Sequence, residues 1–107
     1  MLEESFDIFN AKSGGEALKY LYDSKFIPNL ILLDILMPDM DGWEVFNRIR
    51  AISLLKNVPI AFCTSLNEIT DEQKAFDLGA DDYIRKPYDK EILINRINNI
   101  LNKGYFQ

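Results

Sequence analysis

Histidine is absent from the 107 residues, and cysteine occurs once, at Cys63. The first absence removes every mechanism that needs imidazole as base, metal ligand or phosphoryl carrier. The second excludes an internal disulfide. Cys63 sits in the apolar stretch Ile60-Ala-Phe-Cys-Thr and reads as a small buried hydrophobe, not a reactive thiol. No apolar run approaches the ~18 residues of a membrane span. The opening Met-Leu-Glu-Glu-Ser lacks the basic and apolar regions of a signal peptide, so a cytoplasmic protein with no membrane contact is expected. A basic excess is missing as well: the net charge is −5, which argues against direct nucleic-acid binding. There is no glycine-rich phosphate loop, because Gly14-Gly15 lacks the spacing of such motifs. A small α/β phosphatase or transferase is disfavoured on that ground.

What is present suffices for one small domain with a real core, since about half of the residues are apolar. Phe6–Ala11 reads as a strand. Ser13-Gly-Gly-Glu16 then forms a capping box ahead of a helical stripe of Ala17, Leu18, Leu21 and Tyr22. Pro28-Asn29 breaks the chain before Leu30–Leu33, a run apolar on both faces, as a central parallel strand is. An acidic turn follows, in which Asp39 reads as a turn residue and Asp41 caps a helix carrying Val45, Phe46 and Ile49. Gly42 gives that helix room to start. Pro59 precedes the strand Ile60–Thr64. Thr70-x-x-Gln73 reads as a second capping box, for a helix that stops at Gly79. Tyr83–Arg85 is a short strand ending at Lys86-Pro87, and Asp89 caps a last helix with Leu93, Ile97, Ile100 and Leu101 on one side and Gly104 as its stop.

The alternation βαβαβαβα demands an α/β domain with a parallel sheet and right-handed crossovers. In such sheets the functional crevice lies beyond the carboxyl ends of the strands. Asp34, Thr64 and Lys86 each stand at the carboxyl end of a different strand. A carboxylate, a hydroxyl and an ammonium therefore converge on one rim. A carboxylate can attack phosphorus to give an aspartyl phosphate, provided that the incoming charge is met by a cation and fixed donors. Lys86 supplies the point charge, and the following Pro87 keeps it out of a helix. The Thr64 hydroxyl can donate to a phosphoryl oxygen. Each of the three alone is an ordinary cap, strand or surface residue; the reading rests on their coincidence.

The segments "LLDILMPDMDGWEV", "VPIAFCTS" and "LGADDYIRKPYDKEIL", with "SGGEALKYL" upstream, closely resemble the response-regulator receiver domain, the phosphoacceptor module of two-component signalling. The resemblance implies a flavodoxin-like three-layer fold, with Asp34 as phosphorylation site, Thr64 as switch hydroxyl and Lys86 as phosphate-contacting lysine. Tyr83 falls at the switch-aromatic position. The implied cofactor is Mg²⁺, contacted by Asp34 and by the backbone carbonyl of Leu36. The implied partners are a histidine kinase or phosphotransfer protein and a downstream effector that the sequence does not name. Leu36 and Leu66 stand two residues after Asp34 and Thr64, where the family flanks the path of the hydrolytic water. Neither can orient water by hydrogen bonding, so a long-lived phosphoryl group is expected.

The match departs from the family at its start. The family's first strand, which ends in the acidic pair that holds the metal, has no counterpart, and roughly 20–30 residues are missing by the size of a βα unit. Glu3 and Glu4 precede a strand and fall at the wrong edge of the sheet, so they read as surface charges. Mg²⁺ binding is expected to be weak in consequence. In the family order 2-1-3-4-5 the lost strand lies between Phe6–Ala11 and Leu30–Asp34. Phe6–Ala11 then closes up on Leu30–Asp34, a second chain fills the gap by exchange or edge pairing as a homodimer, or the chain is a poorly folding fragment. A folded protein implies one of the first two. The chain as a whole reads as an N-terminally incomplete receiver over residues 1–107 with no output domain. It is a signalling module, not an enzyme beyond its own phosphotransfer. The competing expectation is a pseudo-receiver, an interaction module that is not phosphorylated.

Overall fold

The computed structural model describes residues 7–11, 13–23, 27–65 and 69–102. Four strands alternate with four helices: β1 (Ile8–Ala11), α1 (Gly14–Asp23), β2 (Leu30–Leu33), α2 (Gly42–Arg50), β3 (Ile60–Thr64), α3 (Ile69–Leu78), β4 (Asp82–Arg85) and α4 (Lys90–Asn102). A single 3₁₀ turn at Ser53–Leu55 interrupts the connection from α2 to β3. The sheet is parallel throughout, in the order β1-β2-β3-β4.

β1 pairs directly with β2, Ile8 opposite Leu30 and Ala11 opposite Leu33. Of the arrangements that the shortened sequence allows, the first is the one adopted. The outer strand lies against the strand that leads to Asp34 and forms one edge of the sheet.

Strand alternation divides the core in two. Phe9, Ala11, Ile31, Leu33, Ile60, Phe62 and Tyr83 face α1, α2 and α3, where they meet Leu18, Leu21, Val45, Phe46, Ile49 and Ala75. Leu30, Leu32, Ala61, Cys63 and Ile84 face the other way, onto Ile97 and Ile100 of α4. Phe62 anchors the first layer, with its ring centroid 5.0 Å from that of Trp43 and 5.5 Å from that of Phe46. On α1 the stripe is Gly14, Ala17, Leu18 and Leu21; Tyr22, expected among them, is exposed. Tyr20 is half exposed and stacks on Phe9 at the outer edge.

The caps separate correct readings from displaced ones. Asp41 accepts from the Trp43 amide at 2.8 Å and starts α2; Asp89 accepts from the Glu91 amide at 2.8 Å and starts α4. Gly79 adopts φ +101° and ends α3, with the Ala80 amide donating back to the Ala75 carbonyl at 3.0 Å. Thr70, read as a cap, lies inside α3, because the helix is already formed at Ile69. At α1 the expected Ser13/Glu16 box is replaced by a more distant acceptor. The amides of Gly14 and Gly15 donate to the Asp39 carboxylate. Phe6, Glu3, Glu4, Leu66 and Gly104 lie outside the described residues.

Candidate functional site at the carboxyl rim of the sheet

β2 is fully buried along its length, and the chain leaves it at Asp34, the first residue free to reach solvent. Asp34 is fixed at both oxygens. Oδ1 accepts the Leu36 amide at 3.0 Å, and Oδ2 accepts the Lys86 ammonium at 2.9 Å. The Asp34 side chain is 23% exposed and that of Lys86 43%, so the pair sits in a partly wet rim where a small molecule can reach it. The hydrogen bond from Lys86 to Asp34 raises the ammonium pKa above its ordinary value, against a smaller opposing effect of burial.

Lys86 is itself placed by the sheet. Its amide donates to the Thr64 carbonyl at 2.8 Å, which ties the end of β3 to the residue after β4, and its bond to Pro87 is cis. Thr64 is completely buried at the end of β3, opposite Arg85. By strand alternation Thr64 shares a face with Phe62, and Phe62 lies opposite Tyr83. Tyr83 is buried, not half-buried as a tyrosine at a strand start suggests. Burial pushes its phenol pKa up, with Asp71 and Glu72 of α3 adding to the effect. Thr64 and Tyr83 thus lie on the α3 side of the sheet.

On the opposite side a cleft of about 370 Å³ opens beside the acid, lined by Asn10, Leu32, Asp34, Cys63, Lys86 and Tyr88. Cys63 is buried as expected, yet it feels the charges of Lys86 and Asp34, and desolvation raises its thiol pKa. The sequence contained a signal for this adjacency. Cys63 immediately precedes the rim residue Thr64, and alternation turns it to the other face.

The loop from Asp34 to α2 is shaped by close approach. The Gly42 amide donates to the Ile35 carbonyl at 3.1 Å. A Cβ on Gly42 would stand 2.5 Å from the Asp34 carbonyl oxygen and from Ile35 Cα, so only glycine lets α2 begin against this backbone. At the tip of the loop, Asp39 accepts the Gly14 amide at 2.9 Å, the Gly15 amide at 2.7 Å and the Ser13 hydroxyl at 3.3 Å. The Gly15 and Gly14 amides hold the Asp39 carboxyl below the usual carboxylate range. Asp39 is a turn residue by position, but it also caps a helix some 25 residues earlier in the chain. The two adjacent glycines at the start of α1 were the available clue: bare amides with no side chain to shield them.

The donor set was tested against Mg²⁺. That ion prefers one or two carboxylates with further oxygens and waters. Asp34 brings one carboxylate, and both its oxygens already accept donors from the chain. Among the described residues no three His, Cys, Asp or Glu side chains are grouped to hold a metal. One acid paired with a lysine does not fit a dedicated magnesium site.

A parallel α/β sheet with an acid–lysine pair on its carboxyl rim is the architecture of a signalling receiver. The chain belongs to the response regulator receiver domain family, whose model matches residues 1–98. It is 40% identical over 101 residues to the transcriptional regulatory protein CpxR homolog of Haemophilus influenzae, covering 94% of this chain and 42% of that protein. It is 35% identical over 100 residues to the DNA-binding dual master transcriptional regulator RpaA of Synechocystis, covering 92% of this chain and 40% of that protein. The chain therefore spans less than half the length of these curated relatives. Among solved structures, the BeF₃-activated N-terminal receiver domain of Klebsiella pneumoniae RstA superposes with a TM-score of 0.74 at 29% identity, over 87% of this chain and 75% of that one. No helix among the described residues is long and apolar enough to cross a membrane.

Proposed function

We propose that this chain is a phosphoacceptor receiver that takes a phosphoryl group on Asp34 from a histidine kinase or phosphotransfer protein, in a cytoplasmic two-component relay. The observation that carries this reading is the 2.9 Å contact between Asp34 Oδ2 and Lys86 Nζ on an accessible rim. In the transfer, an Asp34 oxygen forms a bond to phosphorus as the bond from phosphorus to the donor atom breaks, and the donor keeps that electron pair. Lys86 moves its hydrogen bond from the carboxylate to a phosphoryl oxygen. The Leu36 amide stays on the acyl end of the new mixed anhydride. The added charge, up to about −2, falls beside the Lys86 ammonium already in place. Enzymatic action goes no further than this self-directed transfer.

Signalling would follow by a population shift of the Thr64 and Tyr83 face. α3 is the element best suited to respond. Ala75 is its one buried residue, and it is tied to the body by Glu72 to Arg85 at 2.6 Å and by Lys74 over the Trp43 ring at 4.6 Å. Exposed ties of this kind contribute little, so displacing α3 is inexpensive compared with moving α2. The face formed by α3, β4 and α4 is then the surface offered to an effector.

A second reading, a pseudo-receiver that is not phosphorylated, is favoured by one observation: the single carboxylate at the rim. Beryllofluoride, a phosphoryl mimic, separates the two. Titrated into ¹⁵N-labelled protein in magnesium buffer, it should shift the amides of Leu36, Thr64, Tyr83 and Lys86 together. An unchanged spectrum at saturating beryllofluoride supports the pseudo-receiver.

A further inference from the structure

We infer that Asp39 is a positioning residue for Asp34: by docking on the Gly14-Gly15 amides it holds the loop whose Leu36 amide orients the acceptor carboxylate. This deepens the proposed phosphotransfer and rests on that reading. The loop from Ile35 to Asp41 is closed at its base by the Gly42 amide on the Ile35 carbonyl. At its tip the described contacts are those of Asp39 to Ser13, Gly14 and Gly15. Between base and tip lies Leu36, whose amide is the donor to Asp34 Oδ1. Release of the tip leaves the Leu36 loop with its basal hydrogen bond and the packing of Met37 and Met40 on the core but without its polar anchor, and Asp34 loses the fixed partner that sets its rotation.

The fit of the two parts is steric as well as polar. A Cβ on Gly14 would stand 2.7 Å from Met40 Cβ, and a Cβ on Gly15 would stand 2.9 Å from Asp39 Oδ2. The glycine pair is therefore the receiving half of the contact. Both donors come from a helix terminus, where amides lack partners within the helix and favour negative charge. A carboxylate with two such amides makes charge-assisted bonds, stronger than the neutral bonds that an asparagine could offer.

The test uses Asp39→Ala, Asp39→Asn, Gly15→Ala and the double variant of Asp39→Ala with Gly15→Ala. Two readouts are followed: hydrogen exchange of the Leu36 amide, and the rate of labelling by acetyl phosphate. Asp39→Ala should deprotect Leu36 while amides of β2 and β3 stay protected, and should slow labelling by about tenfold, since small misplacements of a reacting group are costly. Asp39→Asn keeps one acceptor oxygen and should recover part of both. Gly15→Ala pushes on the Asp39 carboxylate end without touching the core, so it should reproduce the defect, and the double variant should be no worse than either single one. Leu36 protection unchanged in Asp39→Ala and in Gly15→Ala, or labelling lost only in proportion to a falling melting temperature, would overturn the inference. If the wild-type chain takes no label, the phosphotransfer reading fails, while Leu36 exchange still decides whether Asp39 holds the loop.

Discussion

Lys86 Nζ lies 2.9 Å from Asp34 Oδ2, although 52 residues separate the two in sequence. The pairing is made by the sheet: β2 delivers the acid, β4 delivers the lysine, and β3 between them fixes the Lys86 amide on the Thr64 carbonyl. Its exposure decides what it is worth. An ion pair with one member 43% exposed contributes roughly 0–1 kcal/mol to stability, so it is ill-suited as a structural tie and well placed as a reactive one.

Replacing the lysine should therefore split stability from function. Lys86→Met is expected to change unfolding free energy by less than about 1 kcal/mol and to abolish most labelling of Asp34. Equilibrium urea unfolding beside an acetyl phosphate assay checks both. The pH dependence has a defined sign. The folded pKa of Lys86 is raised, so its stabilising effect is complete below the unfolded value near ~10.4 and is lost as pH rises through the folded value. Lys86→Met should remove the lysine's own share of the alkaline decline.

Gly42 should be intolerant of any side chain. The Cβ of Gly42→Ala meets backbone at 2.5 Å, and backbone at Asp34 and Ile35 cannot yield without moving the acceptor. A loss of about 1–3 kcal/mol, typical of overpacking, is expected in thermal or chemical unfolding. The same change at exposed Gly79 meets no atom within 4 Å, and its cost comes from φ +101° alone.

Cys63 should react slowly in the native protein. It is buried beneath the rim and its thiol pKa is raised, both of which suppress the thiolate. Modification by a thiol reagent at neutral pH should be far slower in the folded chain than in urea. Comparable rates in both would contradict the burial.

Once formed, the phosphoryl group should persist. Leu36 is exposed at the rim and has no side-chain hydrogen-bonding group with which to align an attacking water. Labelled protein freed of donor should keep its label well beyond minutes, and Leu36→Asn should shorten that lifetime. Rapid loss from the wild type would count against the assignment of Leu36 to the water path.

Much of this was legible in the chain because local rules carried it. Strands β2 and β3 were marked by apolar runs, the α2 and α4 starts by Asp41 and Asp89, and the pairing of Asp34 with Lys86 by their places at strand ends. The readings that failed involved partners distant in sequence. Ser13 and Glu16 spell a capping box, but at this terminus the Gly14 and Gly15 amides and the Ser13 hydroxyl donate to the Asp39 carboxylate, which arrives from across the fold. Tyr22 fits a helical stripe, yet the stripe needed is narrower because α1 packs over the outermost strand. The choice between strand closure and strand exchange could not be read locally, since both satisfy the same backbone groups. Within the one chain described, β1 pairs directly with β2.

The central claim is that Asp34 accepts a phosphoryl group. Intact mass after incubation with acetyl phosphate and Mg²⁺, run beside Asp34→Asn, tests it most directly. The account predicts a single phosphoryl adduct on the wild type and none on the variant. No adduct on the folded wild type, or an adduct that survives in Asp34→Asn, would contradict it.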